Sequence, residues 1–378
     1  MAPAFAGFLA LGLPDTTFGV AWPSIRHTFG LPLSALGLLL AVYTAAYLVA
    51  GATTGTLLRR FGTGRLLAGA ALLGAAGLSV AAVAPWWVAL LAGVVPIGFC
   101  GGLLDAALNA HVALTENSRV LGLLHGAYGV GATVGPLIFT AVLALGGSWR
   151  WGYAVAVLVD LVLAGWFWRL RTEWDDRIEA PDDEAEGAAE RRARDAVVAV
   201  SLLLFFVYVG VEATAGQWAY TVLTEGRGMG PAAAGLWVAA YWGALTAGRI
   251  AVGLGAVRLD DVRLLAASCT LTLVGVTLFW WNPTLVVGAL GLPIAALGMA
   301  AIFPTLIGLT PSRVGADRAA HVIGLEVAAA ALAGGLLPGL TGVLLDARGL
   351  ESLGPALVAA AVLLFGLDRL LVRLSLGP

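Results

Sequence analysis

The sequence predicts an all-α polytopic membrane protein: twelve transmembrane helices arranged as two pseudo-symmetric six-helix halves. Composition, segment length and an internal repeat each point there. Of 378 residues, 60% are hydrophobic and 12% are charged, against about 25% charged in a soluble domain. Mean hydropathy is +0.92. The apolar stretches reach the ~20 residues that a helix needs to cross a bilayer. Residues of the first half recur in the second at a nearly constant offset.

In chain order the apolar stretches cover residues 4–28, 34–58, 65–84, 86–115, 120–146 and 149–170, then 196–224, 231–257, 262–281, 283–312, 318–345 and 352–375. The first lacks a basic start and carries Pro14-Asp15 at its centre, which favours a retained span over a cleaved leader. The second runs into a loop rich in arginine, and the fourth carries Asp105 in its middle. The fifth is rich in glycine. Gly makes up 51 of 378 residues, well above the usual ~7%, and small residues let membrane helices approach closely. The longer spans are expected to tilt or protrude.

Between the sixth and seventh spans, residues 171–195 hold 15 of the 44 charges in 25 residues. Such a segment stays out of hydrocarbon, so it divides the chain into an N-terminal half (1–170), a charged cytoplasmic linker (171–195) and a C-terminal half (196–378). All 21 basic residues are arginine, and their placement sets orientation. With the N-terminus inside, 16 arginines fall on inside loops and the tail. Only Arg26, Arg150, Arg227 and Arg348 fall outside, and Arg249 stays within a span. Both termini and the linker are therefore expected on the cytoplasmic side of a prokaryotic plasma (inner) membrane.

The repeat runs at an offset of 197–198 residues. Asp15-x-x-x-Gly19 matches Glu212-x-x-x-Gly216, Tyr43 matches Tyr241, and Gly55 matches Gly253. Arg65-Leu66-Leu67-Ala68 matches Arg263-Leu264-Leu265-Ala266, and Pro96-Ile97 matches Pro293-Ile294. Two parallel six-helix halves related by an axis along the membrane normal are the architecture of the major facilitator superfamily, which the chain resembles over essentially its whole length. The superfamily's Gly-x-x-x-Asp-Arg-x-Gly-Arg loop is echoed by Gly55 to Arg65, with Arg59 where Asp is expected.

Within that superfamily the chain is most similar to fucose-permease-like proton symporters. Asp15 in the first span, Asp105 with Asn109 in the fourth, and Phe303-Pro304-Thr305 in the tenth carry the likeness. A second likeness, Gly122-x8-Gly131-x3-Gly135-Pro136, looks like the motif of drug–proton antiporters, though Phe139 and Thr140 replace its trailing glycines. Glycines at this spacing equally permit tight helix packing.

Ionisable groups at the bilayer midplane mark ion, proton or substrate pathways. Asp105 is the first proton-coupling candidate and Asp15 the second. An ionised carboxylate resists closure of an apolar surround, whereas a protonated one is neutral and donates a hydrogen bond, which ties proton occupancy to conformation. Asn109, one turn from Asp105, shares its face. Gly19 and Trp22 follow Asp15 on one face of a continuous helix. Glu212 is the seventh-span counterpart, followed by Gln217 and Trp218. Tyr43, Tyr47, Trp237, Tyr241 and Trp242 could form aromatic walls, His125 and Tyr128 lie one turn apart, and Glu326 is a further intramembrane acid. The substrate-binding set is thus Asn109, Trp22, Glu212, Gln217, Trp218, Tyr43, Tyr241, His125, Tyr128 and Glu326. Arg249 needs an acid from another helix as partner.

Several classes are excluded. No Gly-Lys-Ser/Thr phosphate loop, metal-ligand cluster or nucleophile constellation appears, so an enzyme is not expected, and no cofactor beyond a proton as coupling ion. Cys100 and Cys269 lie within apolar spans and imply neither disulfide nor metal. A net charge of −2 says nothing about nucleic acid; no basic patch interleaved with aromatics exists, so no nucleic-acid partner is expected. The expected partners are a small-molecule substrate and the lipid bilayer, with a monomer assumed. The resemblance implies proton-coupled symport of a small polar solute of the sugar class by alternating access. The alternative is proton-driven export of an amphipathic compound.

Overall fold

The computed structural model describes residues 1–115, 118–174, 188–256 and 259–376. Fourteen α-helices form among them: α1 (Ala2–Asp15), α2 (Thr17–Phe29), α3 (Ala35–Phe61), α4 (Thr63–Val83), α5 (Trp87–Thr115), α6 (Ser118–Ala144) and α7 (Trp149–Arg169), followed by α8 (Ala188–Thr221), α9 (Pro231–Gly253), α10 (Asp261–Trp281), α11 (Leu285–Ala300), α12 (Ile302–Val314), α13 (Ala316–Arg348) and α14 (Leu353–Leu376). No strand occurs among the described residues. Counting α1 with α2 and α11 with α12, eleven helices are long and apolar enough to cross a membrane. The twelfth is α9, 23 residues long, whose Trp237, Tyr241, Trp242 and Arg249 dilute its apolar content. The fold is the all-α polytopic one that the sequence predicts. Of the charged segment 171–195, residues 175–187 lie outside the described residues, as do Arg177 and Arg258.

Two spans are broken within stretches expected to be continuous. The first turns at Thr16 (φ −97°, ψ −7°). Pro14 has no N–H to give to the carbonyl one turn back. Thr17 Oγ1 donates to the Pro14 carbonyl at 2.8 Å, and Thr16 Oγ1 donates to the Ala132 carbonyl of α6 at 2.9 Å. The tenth span breaks at Ala301 (φ −85°, ψ −18°). Pro304 explains this break, because its ring and missing N–H disrupt the bond to residue i−4, Ala300.

Glycine sets how closely the helices approach. A Cβ on Gly131 of α6 would lie 1.9 Å from the Leu9 carbonyl oxygen of α1, and one on Gly135 2.5 Å from that of Leu13. The pair Gly77 (α4) and Gly93 (α5) touches backbone to backbone, and Gly275 (α10) and Gly291 (α11) do the same 198 residues later. Helices before residue 170 and after 188 also meet this way. Gly37 of α3 lies against Gly339 of α13, and Gly335 of α13 against Thr44 of α3. Gly235 of α9 is seated against Thr140 of α6.

At the bundle end remote from the chain termini, polar bonds join neighbouring elements. Arg26 of α2 pairs with Glu225, just beyond α8, at 2.5 Å, and His27 Nε2 lies 3.0 Å from the same carboxylate. The Leu33 and Ser34 amides, before α3, donate to Asp346 of α13 at 2.9 and 2.8 Å. Arg227 donates two hydrogen bonds to Glu351 at 2.9 and 2.8 Å.

Replacing Gly131 with alanine forces α6 away from α1, and overpacking of this kind costs about 1–3 kcal/mol. Gly131→Ala is therefore expected to lower the thermal unfolding midpoint of the detergent-solubilised protein by several degrees. Gly51→Ala, where an added Cβ meets nothing within 4 Å, is expected to leave the midpoint unchanged or slightly raised.

Candidate functional site

The turn at Thr16 leaves Asp15 as the last residue of α1, with its carboxylate directed at α3 and α6. Tyr43 Oη of α3 donates to one carboxylate oxygen, and Tyr128 Oη of α6 donates to the other at 3.1 Å. Gln217 Nε2 of α8 donates to the Asp15 backbone carbonyl at 3.0 Å. Gly19 makes that approach possible, because a Cβ there would lie 2.6 Å from the Gln217 carbonyl.

One turn further along α3, Tyr47 Oη donates to Asp105 of α5. The other Asp105 oxygen accepts from Asn109 Nδ2 at 2.9 Å. The Tyr43 and Tyr47 rings are 6.3 Å apart, centroid to centroid. A single helix face thus supplies one phenol to each acid. Gly98, Gly101 and Gly102 of α5 allow this: at Gly98 and Gly102 an added Cβ would lie 2.5 and 2.2 Å from the Tyr43 and Tyr47 carbonyls, and at Gly101 2.9 Å from the Tyr43 hydroxyl. A phenol donates to an ionised carboxylate and, by rotating its hydrogen, accepts from a protonated one. Each acid can therefore take up or release a proton with its heavy-atom partners in place.

Glu212 of α8 anchors a second cluster. Arg249 Nη2 of α9 pairs with it at 2.9 Å and also donates to Tyr208 Oη at 3.0 Å. Tyr208 donates to the same Glu212 oxygen, and Tyr241 Oη donates to the Glu212 backbone carbonyl at 2.7 Å. Glu212 is thus the partner that Arg249 requires. Asp15, Asp105, Tyr128, Glu212 and Arg249 are half-buried while bonded to groups on neighbouring helices, and Asn109 is half-buried and bonded to Asp105 on its own helix, as expected of residues lining a space inside the bundle.

Other sequence candidates sit elsewhere. His125 of α6 is exposed and packs edge-on against Phe8 at 5.3 Å. Trp22 is fully buried against Trp87 at 6.1 Å and makes no contact with the carboxylates. Trp218 is also buried, donating through Nε1 to the Pro338 carbonyl of α13 at 2.9 Å. Glu326 of α13 is 0% exposed and accepts from Ser201 of α8 at 2.5 Å and from Thr310 of α12 at 3.1 and 3.0 Å. None of these partners belongs to either cluster. Sequence reasoning gave Tyr47 only a wall role and passed over Tyr208 and the buried Asp160 of α7. Tyr208 was within reach of it, since it stands four residues before Glu212, the spacing of neighbours on a helix face.

The family model described as Major Facilitator Superfamily matches residues 4–338. Among curated proteins, Bypass of stop codon protein 6 of Saccharomyces cerevisiae is 24% identical over 306 residues, which is 72% of this chain and 60% of that protein. The chain spans less than two thirds of the length of the curated relatives it matches. Among solved structures, the nucleoside transporter NupG superposes with a TM-score of 0.79 at 11% identity, over 98% of this chain and 99% of that one. The E. coli fucose:proton symporter FucP does so with a TM-score of 0.61 at 16% identity, over 98% of each chain. At these identities the likeness is one of fold.

Removing one partner of a buried ion pair leaves the other charge uncompensated, at a cost of about 3–5 kcal/mol. Arg249→Gln is expected at the low end of that range, because the guanidinium side chain keeps 21% exposure. The double variant Arg249→Gln/Glu212→Gln is expected to recover most of the loss. Thermal unfolding of the single and double variants in detergent checks both outcomes.

Proposed function

The chain belongs to the major facilitator superfamily, and on that premise we propose that it is a proton-coupled secondary transporter, a symporter of a small polar solute of the sugar class working by alternating access. The observation that carries this is the pair of acids held by tyrosines one turn apart on α3. Asp105, with Tyr47 and Asn109, holds the coupling proton; Asp15, with Tyr43 and Tyr128, is the second proton site. An ionised carboxylate is costly in an apolar closed bundle, so the carrier reorients readily only when these acids are neutral or paired.

The solute site lies between this network and the Glu212–Arg249 pair. Gln217, Asn109, Tyr128 and Tyr241 offer alternating donors and acceptors suited to hydroxyl groups. The fold shared with a fucose:proton symporter and a nucleoside transporter supports a polar solute. The arginine bias supports an orientation with both termini in the cytoplasm; the same reading takes the membrane as a prokaryotic plasma membrane and the transporter as a monomer. The export reading drew on the glycines of the fifth span. Contacts of Gly131 and Gly135 with α1 account for two of those as packing, so they give export no separate support.

Internal pH in oriented proteoliposomes, recorded while sugars, polyols, carboxylates and lipophilic amines are added in turn, tests the proposal. Protons are expected to enter with a sugar or polyol. Protons moving against an amine would replace symport with export. Asp105→Asn is expected to abolish proton-driven accumulation while retaining solute exchange across the membrane. Accumulation at the wild-type level by that variant would remove Asp105 from the coupling role.

A further inference from the structure

Asp160 lies in the middle of α7 and belongs to neither cluster described above. It is 7% exposed and has no hydrogen-bond or ion-pair partner among the described residues. Its Oδ2 and Cys100 Sγ of α5 both crowd Gly74 of α4, where an added Cβ would lie 2.5 and 2.6 Å from them. Gly74 therefore makes the room that the carboxyl group occupies. The group also faces an internal cavity lined in part by Ala10, Leu11, Pro14, Tyr43 and Cys100. Tyr43 is the residue that donates to Asp15, and Pro14 precedes Asp15 in the chain.

An ionised carboxylate at this place would stand in a low-dielectric interior with neither donor nor countercharge, which is strongly unfavourable for a buried charge. A bound proton removes that cost. Of the titratable groups, Cys100 of α5 and Tyr43 of α3 line the cavity with Asp160; α1 contributes Pro14, the chain neighbour of Asp15, and Asp15 itself is bonded to Tyr43 and to Tyr128 of α6. α4 presents Gly74, and α2 carries its charged groups, Arg26 and His27, at the bundle end beside Glu225. No basic side chain lines the cavity.

We propose that Asp160 is a third, unassigned proton-holding site that exchanges its proton with Asp15 by way of this cavity, with Tyr43, which lines the cavity and donates to Asp15, common to both. The proton leaves one carboxyl oxygen as the other carboxylate gains one, so the total charge of the pair is unchanged by the exchange. Its part in coupling rests on the proton-symport reading; its existence as a titrating pair does not.

Infrared difference spectroscopy of the purified protein in lipid bilayers, recorded as pH is stepped from about 4 to 10 across the carboxyl and histidine range, reads protonated carboxyl groups without any substrate. Asp160→Asn is expected to remove one carboxyl carbonyl band. Asp15→Asn is expected to shift the titration midpoint of that band by about one pH unit, the size at which two sites titrate as a pair. Asp160→Glu keeps a titrating acid and is expected to move the band's frequency instead of abolishing it, so the assignment survives if the asparagine variant fails to fold. A spectrum unchanged in both Asp160 variants would overturn the site. A band whose midpoint ignores Asp15→Asn would overturn the exchange. Either result leaves the transport assay to decide symport on its own.

Discussion

A carboxylate placed inside an apolar bundle must find its donors within the bundle, and this constraint orders the rest of the molecule. Asp15 and Asp105 sit on different helices, yet both are satisfied from one face of α3. That arrangement demands that α1, α3 and α5 run close together. The glycines of α5 that abut the Tyr43 and Tyr47 carbonyls make this approach possible. Likewise α6 must lie on α1 for Tyr128 to reach Asp15, and Gly131 and Gly135 are what permit it. Close packing and polar satisfaction are here one requirement.

The two repeats have diverged in how they treat matching positions. In the first, Asp15 accepts phenol hydrogens and meets no cation. In the second, Glu212 is held by Arg249 and stays paired. Tyr43 bonds the side chain of its acid, whereas its counterpart Tyr241 bonds the backbone carbonyl of Glu212. The first cluster pairs its acid with neutral phenols, whereas the second holds its acid in a pair of opposite charges.

The helices and the midplane acids were legible because hydrocarbon solvation is written into composition: long apolar runs declare spans, and a carboxylate within one is conspicuous. Partners on other helices were not. Nothing local in the chain joins Tyr47 to Asp105, 58 residues away, or Arg249 to Glu212. Trp22 was misplaced for a different reason. The i+7 relation that set it on the face of Asp15 assumes an unbroken helix, and the turn at Thr16 interrupts it, so the indole packs on Trp87 instead. Pro304 held the signal for the break at Ala301, but an uninterrupted apolar run outweighed it. Asp160 was overlooked although its surroundings are as apolar as those of Asp105.

The crossing of α3 and α13 at Gly37 and Gly339 has a mechanical consequence. Interdigitated side chains must disengage before two helices can turn against each other, whereas two bare backbone surfaces have nothing to unlock. This contact therefore behaves as a bearing: it carries load between the two sets of helices while offering little friction to rotation. Movement of one set against the other would then be resisted chiefly by the polar ties at Glu225 and Asp346, which act as the brake beside that bearing.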